Sequence, residues 1–338
     1  MERIRVGIIG GGYWGPNLIR NFMDLANSEV VMVADLKKDR LAKIKNNYPQ
    51  VLVTENYRDF FDQKLDAVVV ATPPPSHFPI TKDCLEHGLH ALVEKPLTLK
   101  STDAEELVEI AAKRRLTLMV GHTFEYNAAV HALKDLIDKG DLGQIYYLDA
   151  ARLNLGLFSR DLNVLWDLAP HDISILLYIL GKLPVAVSAH GTQCVFTGIN
   201  DVAYVQLVFP DNIMAHIHVS WLDPCKVRRV TVVGSKKMAV YNDIESLEKI
   251  KIYDKGVEHP EYTNNFGEFQ FSYRYGDITI PNIRFTEPLK VECQHFLDCI
   301  NNHTKPCSCG EDGLNVVKVL EAAQKSLVNA GQMEELKW

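Results

Sequence analysis

Several things are scarce or missing in this 338-residue chain, and each absence excludes a class of function. No apolar run approaches the roughly 18 residues that a membrane-spanning helix requires, so no membrane partner is expected. Basic residues are not in excess: 36 Lys and Arg against 43 Asp and Glu leave a formal net charge of -7. Such a surface has no global attraction to nucleic acid or to an anionic membrane, so an anionic ligand must be held by specific groups. The seven cysteines are odd in number and scattered, except for Cys307-Ser308-Cys309, and no paired Cys-x-x-Cys spacing appears. A structural zinc site is therefore not expected, no other metal is implied, and the thiols read as reduced. Internal repeats and low-complexity linkers are lacking too. Met1-Glu2-Arg3 runs straight into a strand pattern without a leader, which points to the cytoplasm.

The length exceeds that of one usual core, so two domains are expected. Residues 3–9 read as a buried strand, followed by Gly10-Gly11-Gly12-Tyr13-Trp14-Gly15 and a helical run from Pro16. Gly10, Gly12 and Gly15 have the spacing of a dinucleotide-binding turn. The first permits the tight turn, the second lets backbone approach a pyrophosphate, and the third lets helix and strand pack closely. With Tyr13 and Trp14 they form the first candidate cofactor-binding set. A second strand ends in Asp35, placed to bind the ribose hydroxyls and repel a 2'-phosphate. This favours NAD; Lys37 and Lys38 keep NADP as the lesser alternative. Strand and helix patterns then alternate to Gly121, which implies parallel βαβ units in a doubly wound sheet. The cofactor-binding domain is expected over residues 1–122.

Two features end strands inside that domain. The run Leu65–Thr72 stops at Pro73-Pro74-Pro75-Ser76-His77, a rigid loop suited to walling one side of a cofactor. Thr72 and Pro73 are expected there, and His77 either packs the loop or meets the nicotinamide side. The run His90–Glu94 delivers Lys95 and Pro96, so that Glu94 and the Lys95 ammonium lie beyond the carboxyl end of a parallel strand, where α/β sheets bind ligands. Thr102 and Glu105 read as the capping box of the next helix.

From residue 123 to 338 the pattern changes to successive strands, implying an α+β domain with a mainly antiparallel sheet. One helix interrupts the series, read from about Trp166 to a stop at Gly181, with Pro170 in its first turn. Asp167 and His171 are four apart and share a face if that helix includes both. A carboxylate beside imidazole suits a general base. The preceding loop supplies the candidate substrate residues Asn154, Arg160 and Asn163, joined by Trp166 and by Arg152 on the strand before. The two arginines are the obvious means of holding an anionic substrate, although each could instead form an ordinary ion pair.

Taken together, the Gly10–Gly15 turn, Ala71-Thr72-Pro73 through His77, Glu94-Lys95-Pro96, the Asp167/His171 pair and the final helix pair resemble the Gfo/Idh/MocA family (glucose-fructose oxidoreductase, inositol dehydrogenase). The resemblance implies an α/β Rossmann domain joined to an open-faced, mainly antiparallel sheet that mediates assembly into a homodimer or homotetramer. It also implies NAD(P)-dependent hydride transfer at a sugar or cyclitol carbon, with Lys95 and His171 at the reacting hydroxyl. The stretch Leu153–Gly156 through Trp166–Asp172 looks like the branch acting on UDP-linked sugars at carbon 3. One departure stands out. Many members carry an arginine and an aromatic residue shortly after the strand ending at Gly121, where this chain has Phe124-Glu125-Tyr126-Asn127. The alternatives are a dehydrogenase of a free sugar or cyclitol, and a non-catalytic NAD(P)-binding sensor. A sensor would need neither Lys95 nor the Asp167/His171 pair.

Overall fold

The computed structural model describes residues 3–258 and 272–338. Met1 and Glu2, at the start of the expected first domain, and residues 259–271 of the expected second domain lie outside the described residues. The chain divides into two compact units, residues 1–126 with 286–321, and residues 127–285 with 322–338.

The first unit carries β1 (Ile4–Ile9), α1 (Gly15–Asp24), β2 (Ser28–Ala34), α2 (Lys38–Asn47), β3 (Leu52–Thr54), β4 (Ala67–Val70), α3 (His77–Glu86), β5 (His90–Glu94), α4 (Ser101–Arg114) and β6 (Leu118–Gly121). The six strands form one sheet in the order β3-β2-β1-β4-β5-β6, every pair parallel. This is the strand order of a doubly wound dinucleotide-binding fold. Burial on both faces explains the unbroken apolar runs: all four residues of β4 are buried, as are Ala91, Leu92 and Val93 of β5. Because all strands run the same way, the turn after β1 and the loops after β4, β5 and β6 gather at one edge. The α4 capping box is not formed. Lys100 is the N-cap without a side-chain bond, and the Ala104 N–H to Lys100 carbonyl bond already places Thr102 inside the first turn.

The second unit begins with α5 (Ala128–Asp138), β7 (Ile145–Leu153) and α6 (Val164–Leu180). It continues through β8 (Ala186–Thr192), β9 (Val202–Val208), β10 (Met214–Ser220), β11 (Val227–Gly234), β12 (Met238–Asn242), β13 (Ile250–Glu258) and β14 (Ser272–Thr279). Helices α7 (Pro288–Asn302) and α8 (Gly310–Val328) and the short β15 (Glu334–Glu335) complete the chain. The nine-stranded sheet runs β14-β13-β12-β11-β7-β10-β9-β8-β15; only β7 and β10 pair in parallel. α6 packs on β7, β9 and β10. Inward residues such as Ala150, Val205, Ile217 and Val232 are fully buried, whereas Tyr147, Tyr204 and Met214, at alternate positions, are about half exposed. One face is thus covered and the other open.

Two expectations change here. Helix α6 starts at Val164, where the Asn163 side chain accepts the Trp166 N–H at 3.2 Å, so Pro170 lies inside the helix and not in its first turn. The earlier start puts Asp167 within the helix, on one face with His171. Residues 286–321, placed by the sequence reading in the second domain, cluster instead with the first unit. Their apolar stripe is the reason: Leu289, Cys293, Phe296, Leu297 and Ile300 of α7 belong to the same buried cluster as Val6, Ile8, Leu18, Phe22, Leu92 and Met119. The Phe22 and Phe296 rings meet edge to face at 6.4 Å.

Candidate active site

The glycine turn is shaped by contacts that admit no side chain. Gly10 has φ +108°, and a Cβ there would overlap the Ala71 carbonyl at the end of β4. One at Gly15 would overlap the Gly10 carbonyl. The turn therefore sits hard against the neighbouring strand end, where the strand order reverses, with the α1 N-terminus following and no acidic residue in that helix's first turn. Such an N-terminus favours phosphate. Tyr13 is 88% exposed. The geometry fits a dinucleotide: a backbone open to close approach at Gly12, a helix N-terminus for its phosphates and a carboxylate for its ribose.

That carboxylate, Asp35, is already organised. Its Oδ2 accepts the Gly11 N–H at 2.8 Å and its Oδ1 accepts the Lys37 N–H at 2.8 Å. Arg40 Nη1 also reaches Oδ2 at 3.2 Å and lies 3.3 Å from where a Gly12 Cβ would stand. The sequence reading weighed Lys37 and Lys38 here and missed Arg40. Lys37 contributes its backbone, and Lys38 pairs with Glu55 at 3.4 Å. Arg40 is visible as a cation five residues past Asp35, in the first turn of the following helix.

After β4, Ser76 Oγ donates to the Pro73 carbonyl at 2.7 Å and bonds Thr72 Oγ1 at 2.8 Å, closing the proline loop. His77 is fully buried, and its ring bridges two carbonyls, Pro96 at Nδ1 and Thr72 at Nε2, each 2.8 Å away. Each ring nitrogen faces one of these carbonyls, and a neutral ring donates to one of them according to its tautomer, so His77 packs between the loops after β4 and β5 and not toward a nicotinamide. Burial pushes its pKa below the ordinary histidine value.

At the end of β5, the Lys95 N–H donates to the Glu94 carboxylate at 3.3 Å. Desolvation pushes the Glu94 pKa up to about 7, against the pull of the Lys95 charge and the smaller pull of the Trp14 side chain from the glycine turn. Its carboxyl lies flat on Gly121, where a Cβ would stand 3.1 Å away. His122 follows at the end of β6. It is 1% exposed, neither ring nitrogen has a hydrogen-bond partner, and burial with the nearby Lys95 charge lowers its pKa to about 3. His122 is legible in the sequence as the residue after a strand that ends at the ligand edge.

In the second unit, Asp167 Oδ2 accepts the Trp221 indole N–H at 2.9 Å, which fixes the carboxylate on the α6 face it shares with His171. Trp221 lies 54 residues away, and no local signal announced it. Arg152, expected at an anionic substrate, is instead 5% exposed and makes a two-pronged ion pair with Asp172 at 2.8 and 3.0 Å. Its strand position points inward beneath α6, where a guanidinium can stay only with a paired carboxylate. Asn163 is committed as well, capping α6 and donating to Gln324 Oε1 at 2.8 Å. Trp166 is buried in the core. Asn154 and Arg160 remain on the loop: the Arg160 guanidinium stands 5.9 Å from the Phe196 ring, and the Asn154 amide lies against Gly156. Among the described residues, no group of His, Cys, Asp or Glu side chains could hold a metal ion, and no helix is long and apolar enough to cross a membrane.

Comparison with known proteins agrees with this geometry. Residues 4–122 match the model described as "Oxidoreductase family, NAD-binding Rossmann fold", and residues 130–240 match the "GFO/IDH/MocA C-terminal domain". The UDP-N-acetylglucosamine 3-dehydrogenase of Acidithiobacillus ferrooxidans is 27% identical, with 96% of each chain covered. The myo-inositol 2-dehydrogenase of Thermotoga maritima is 25% identical, again over 96% of each chain. Among solved structures, GenD2 from gentamicin A biosynthesis in complex with NAD superposes with a TM-score of 0.84 at 22% identity, covering 100% of this chain and 97% of that one.

Proposed function

The chain belongs to the Gfo/Idh/MocA family of NAD-binding oxidoreductases, and from that premise we propose that it oxidises a secondary hydroxyl of a sugar, at carbon 3 of a UDP-linked N-acetyl-aminosugar. The observation that carries the reading is Lys95, delivered by β5 to the edge of the parallel sheet that also carries the glycine turn after β1.

Bound at that turn, NAD supplies the hydride acceptor. Gly10, Gly12 and Gly15 admit its phosphates, Asp35 binds the ribose hydroxyls, and Trp14, Thr72, Pro73 and Glu94 line the edge. The substrate carbon gives up a hydride and its hydroxyl gives up a proton, leaving a ketone. In this reading, Lys95 donates a hydrogen bond to the oxygen and stabilises the developing alkoxide, a contribution of roughly 3 kcal/mol for one well-placed donor. His171 accepts the proton, and Asp167, held by Trp221, orients its ring. With Arg152 spent on Asp172, Arg160 and Asn154 are the loop groups left for the diphosphate and sugar. The nucleotide-sugar assignment draws support from the Acidithiobacillus relative, and the inositol dehydrogenase of Thermotoga keeps a free cyclitol as the competing substrate. The reading includes a cytoplasmic homodimer or homotetramer joined through the open face of the nine-stranded sheet.

The test mixes protein stripped of bound nucleotide with NAD and a panel of UDP-sugars and free cyclitols, and follows reduced nicotinamide. Lys95→Met should lower turnover by about a thousandfold, the upper range for losing one such donor, while NAD affinity changes little. A Lys95→Met protein with wild-type turnover would sink the assignment, and silence of the wild type on the whole panel would favour a sensor.

A further inference from the structure

The amino ends of β5 and β6, at the sheet edge opposite the glycine turn, border an open cleft of about 660 Å³. That volume lies in the range of small-molecule sites. Val108, Leu116, Leu118 and Pro306 give the cleft an apolar floor. Gly310 sits tightly on it, since a Cβ there would stand 2.7 Å from Leu118 and 3.2 Å from Val108. The segment joining α7 to α8 is held against β6 by the Val120 N–H, which donates to the Ser308 carbonyl at 2.8 Å. The rim is basic: Arg115, His303 and Lys305 are exposed there. Lys305 stands 3.7 Å from Glu311, whereas Arg115 has no carboxylate partner among the described residues. Deeper in, His90 Nδ1 accepts the Thr117 N–H at 2.8 Å, which leaves the ring proton on Nε2 as a donor, and burial lowers the pKa of this histidine. Arg115 ends α4 with φ 56° and His303 ends α7 with φ 52°, the left-handed conformation in which helices normally place glycine. Two of the five non-glycine residues with positive φ among the described residues thus fall on this one cleft. Such strain collects where a side chain is needed for function.

We propose that this cleft is a second ligand site, for an organic phosphate of nucleoside monophosphate size, with the phosphate among Arg115, His303 and Lys305 and the base on the apolar floor. Three basic side chains from two helix ends suit a dianionic phosphate monoester better than a single carboxylate, and the Arg115 guanidinium offers it paired donors. A bare phosphate ion would leave the floor in water. A sugar phosphate would set hydroxyls on Leu116, Leu118 and Pro306, where they find no partner. The α8 N-terminus is not the attraction: the Cys309 N–H already donates to Asp312 Oδ2 at 3.0 Å, and Glu311 and Asp312 occupy the first turn. Nor does the cleft overlap the cofactor turn. His90 and Lys95 lie at opposite ends of β5, about 16 Å apart at the usual rise of a strand, so the occupant and NAD bind together. The proposal is independent of the substrate read for the dehydrogenase.

Calorimetric titration of the whole protein saturated with NAD tests the site, with AMP, GMP, ribose 5-phosphate and inorganic phosphate as probes. One of the purine nucleotides should bind at a single site, about tenfold or more tighter than ribose 5-phosphate or phosphate, the gain from burying the base on an apolar floor. Arg115→Gly should weaken that binding about tenfold, the size of one charge-assisted hydrogen bond. The same variant should raise the thermal midpoint of the unliganded protein, because glycine holds the left-handed conformation without strain. Glu311→Gln removes the competing carboxylate and should tighten binding by about threefold, as for one exposed charge. Neither variant should alter NAD affinity. No binding of either nucleotide, wild-type affinity in Arg115→Gly, or phosphate bound as tightly as the nucleotide would each overturn the proposal. So would displacement of the nucleotide by added NAD, which would put it at the cofactor turn. The dehydrogenase reading fails separately, through turnover, which no step of this titration requires.

Discussion

At the carboxyl edge of the six-stranded sheet, His122 and Glu292 are buried with no hydrogen-bond partner, and Glu94 is held with its pKa pushed up to about 7. In the nine-stranded unit two of the polar groups expected at the substrate are satisfied from within: Arg152 by Asp172, and Asn163 by the α6 N–H and Gln324. Buried polar groups are normally paired, so the unpaired ones mark where the fold tolerates cost, which is commonly where function is. Substitutions in the first set should therefore disturb chemistry or pH response, and in the second set stability.

The largest effect that would break this contrast lies in the second unit. Asp172→Ala leaves the Arg152 guanidinium buried without its carboxylate and should cost about 3–5 kcal/mol, the usual penalty for breaking a buried ion pair from one side. Replacing both partners with apolar residues of similar volume should recover much of it. The midpoint and slope of urea unfolding measure this. A single variant as stable as wild type would mean the pair is not a structural element, and would return Arg152 to the substrate.

How much of this was legible follows the same division. The parallel sheet, its glycine turn, Asp35 and Lys95 could be read because each depends on a local pattern, a strand run ended by a residue that a strand interior refuses. Arg152 could not be assigned, because whether an arginine on a strand meets substrate or a buried acid depends on Asp172, 20 residues on and across a sheet-helix layer. Glu292 was hidden inside a helix whose Leu289, Cys293 and Phe296 spacing read as plain packing, and only burial exposes its cost. The α6 boundary slipped because Pro170 suggested a first turn, while Asn163, the real cap, had been read as a substrate contact.

A smaller effect sharpens the first half of the comparison. The folded pKa of His122 is lowered from 6.5 to about 3. Between those values the unfolded chain binds the extra proton, so this contribution to stability is complete above pH 6.5 and is lost as pH falls toward 3. His77 acts in the same direction. Glu94 acts oppositely, since its raised value makes the folded state the better proton binder between its ordinary 4.5 and about 7. Their sum hides the individual terms, and a variant separates them. From pH 6.5 to 5 the His122 share is about 2 kcal/mol, at 1.36 kcal/mol per pKa unit. His122→Asn should shrink the acid loss of stability over that interval by about this amount. An unchanged pH dependence would show that the His122 ring is solvated or paired in solution.

The smallest effect concerns Arg40, a cation that the structure places at Asp35. Asp35 opposes a 2'-phosphate by charge, and a nearby arginine is the usual way such a site accepts one. With Arg40 Nη1 at 3.2 Å from Oδ2 and against Gly12, the guanidinium is engaged with Asp35 yet 37% exposed, free to turn toward a phosphate. Wild type should therefore prefer NAD but retain some turnover with NADP. Arg40→Ser should lower kcat/KM for NADP about tenfold, equivalent to about 1.4 kcal/mol and close to one charge-assisted hydrogen bond, while NAD changes by only a few-fold. Asp35→Ser should move the preference the other way by removing the repulsion. If Arg40→Ser affects both cofactors equally, Arg40 serves only to hold Asp35, and this carboxylate would then belong with the internally satisfied groups of the second unit.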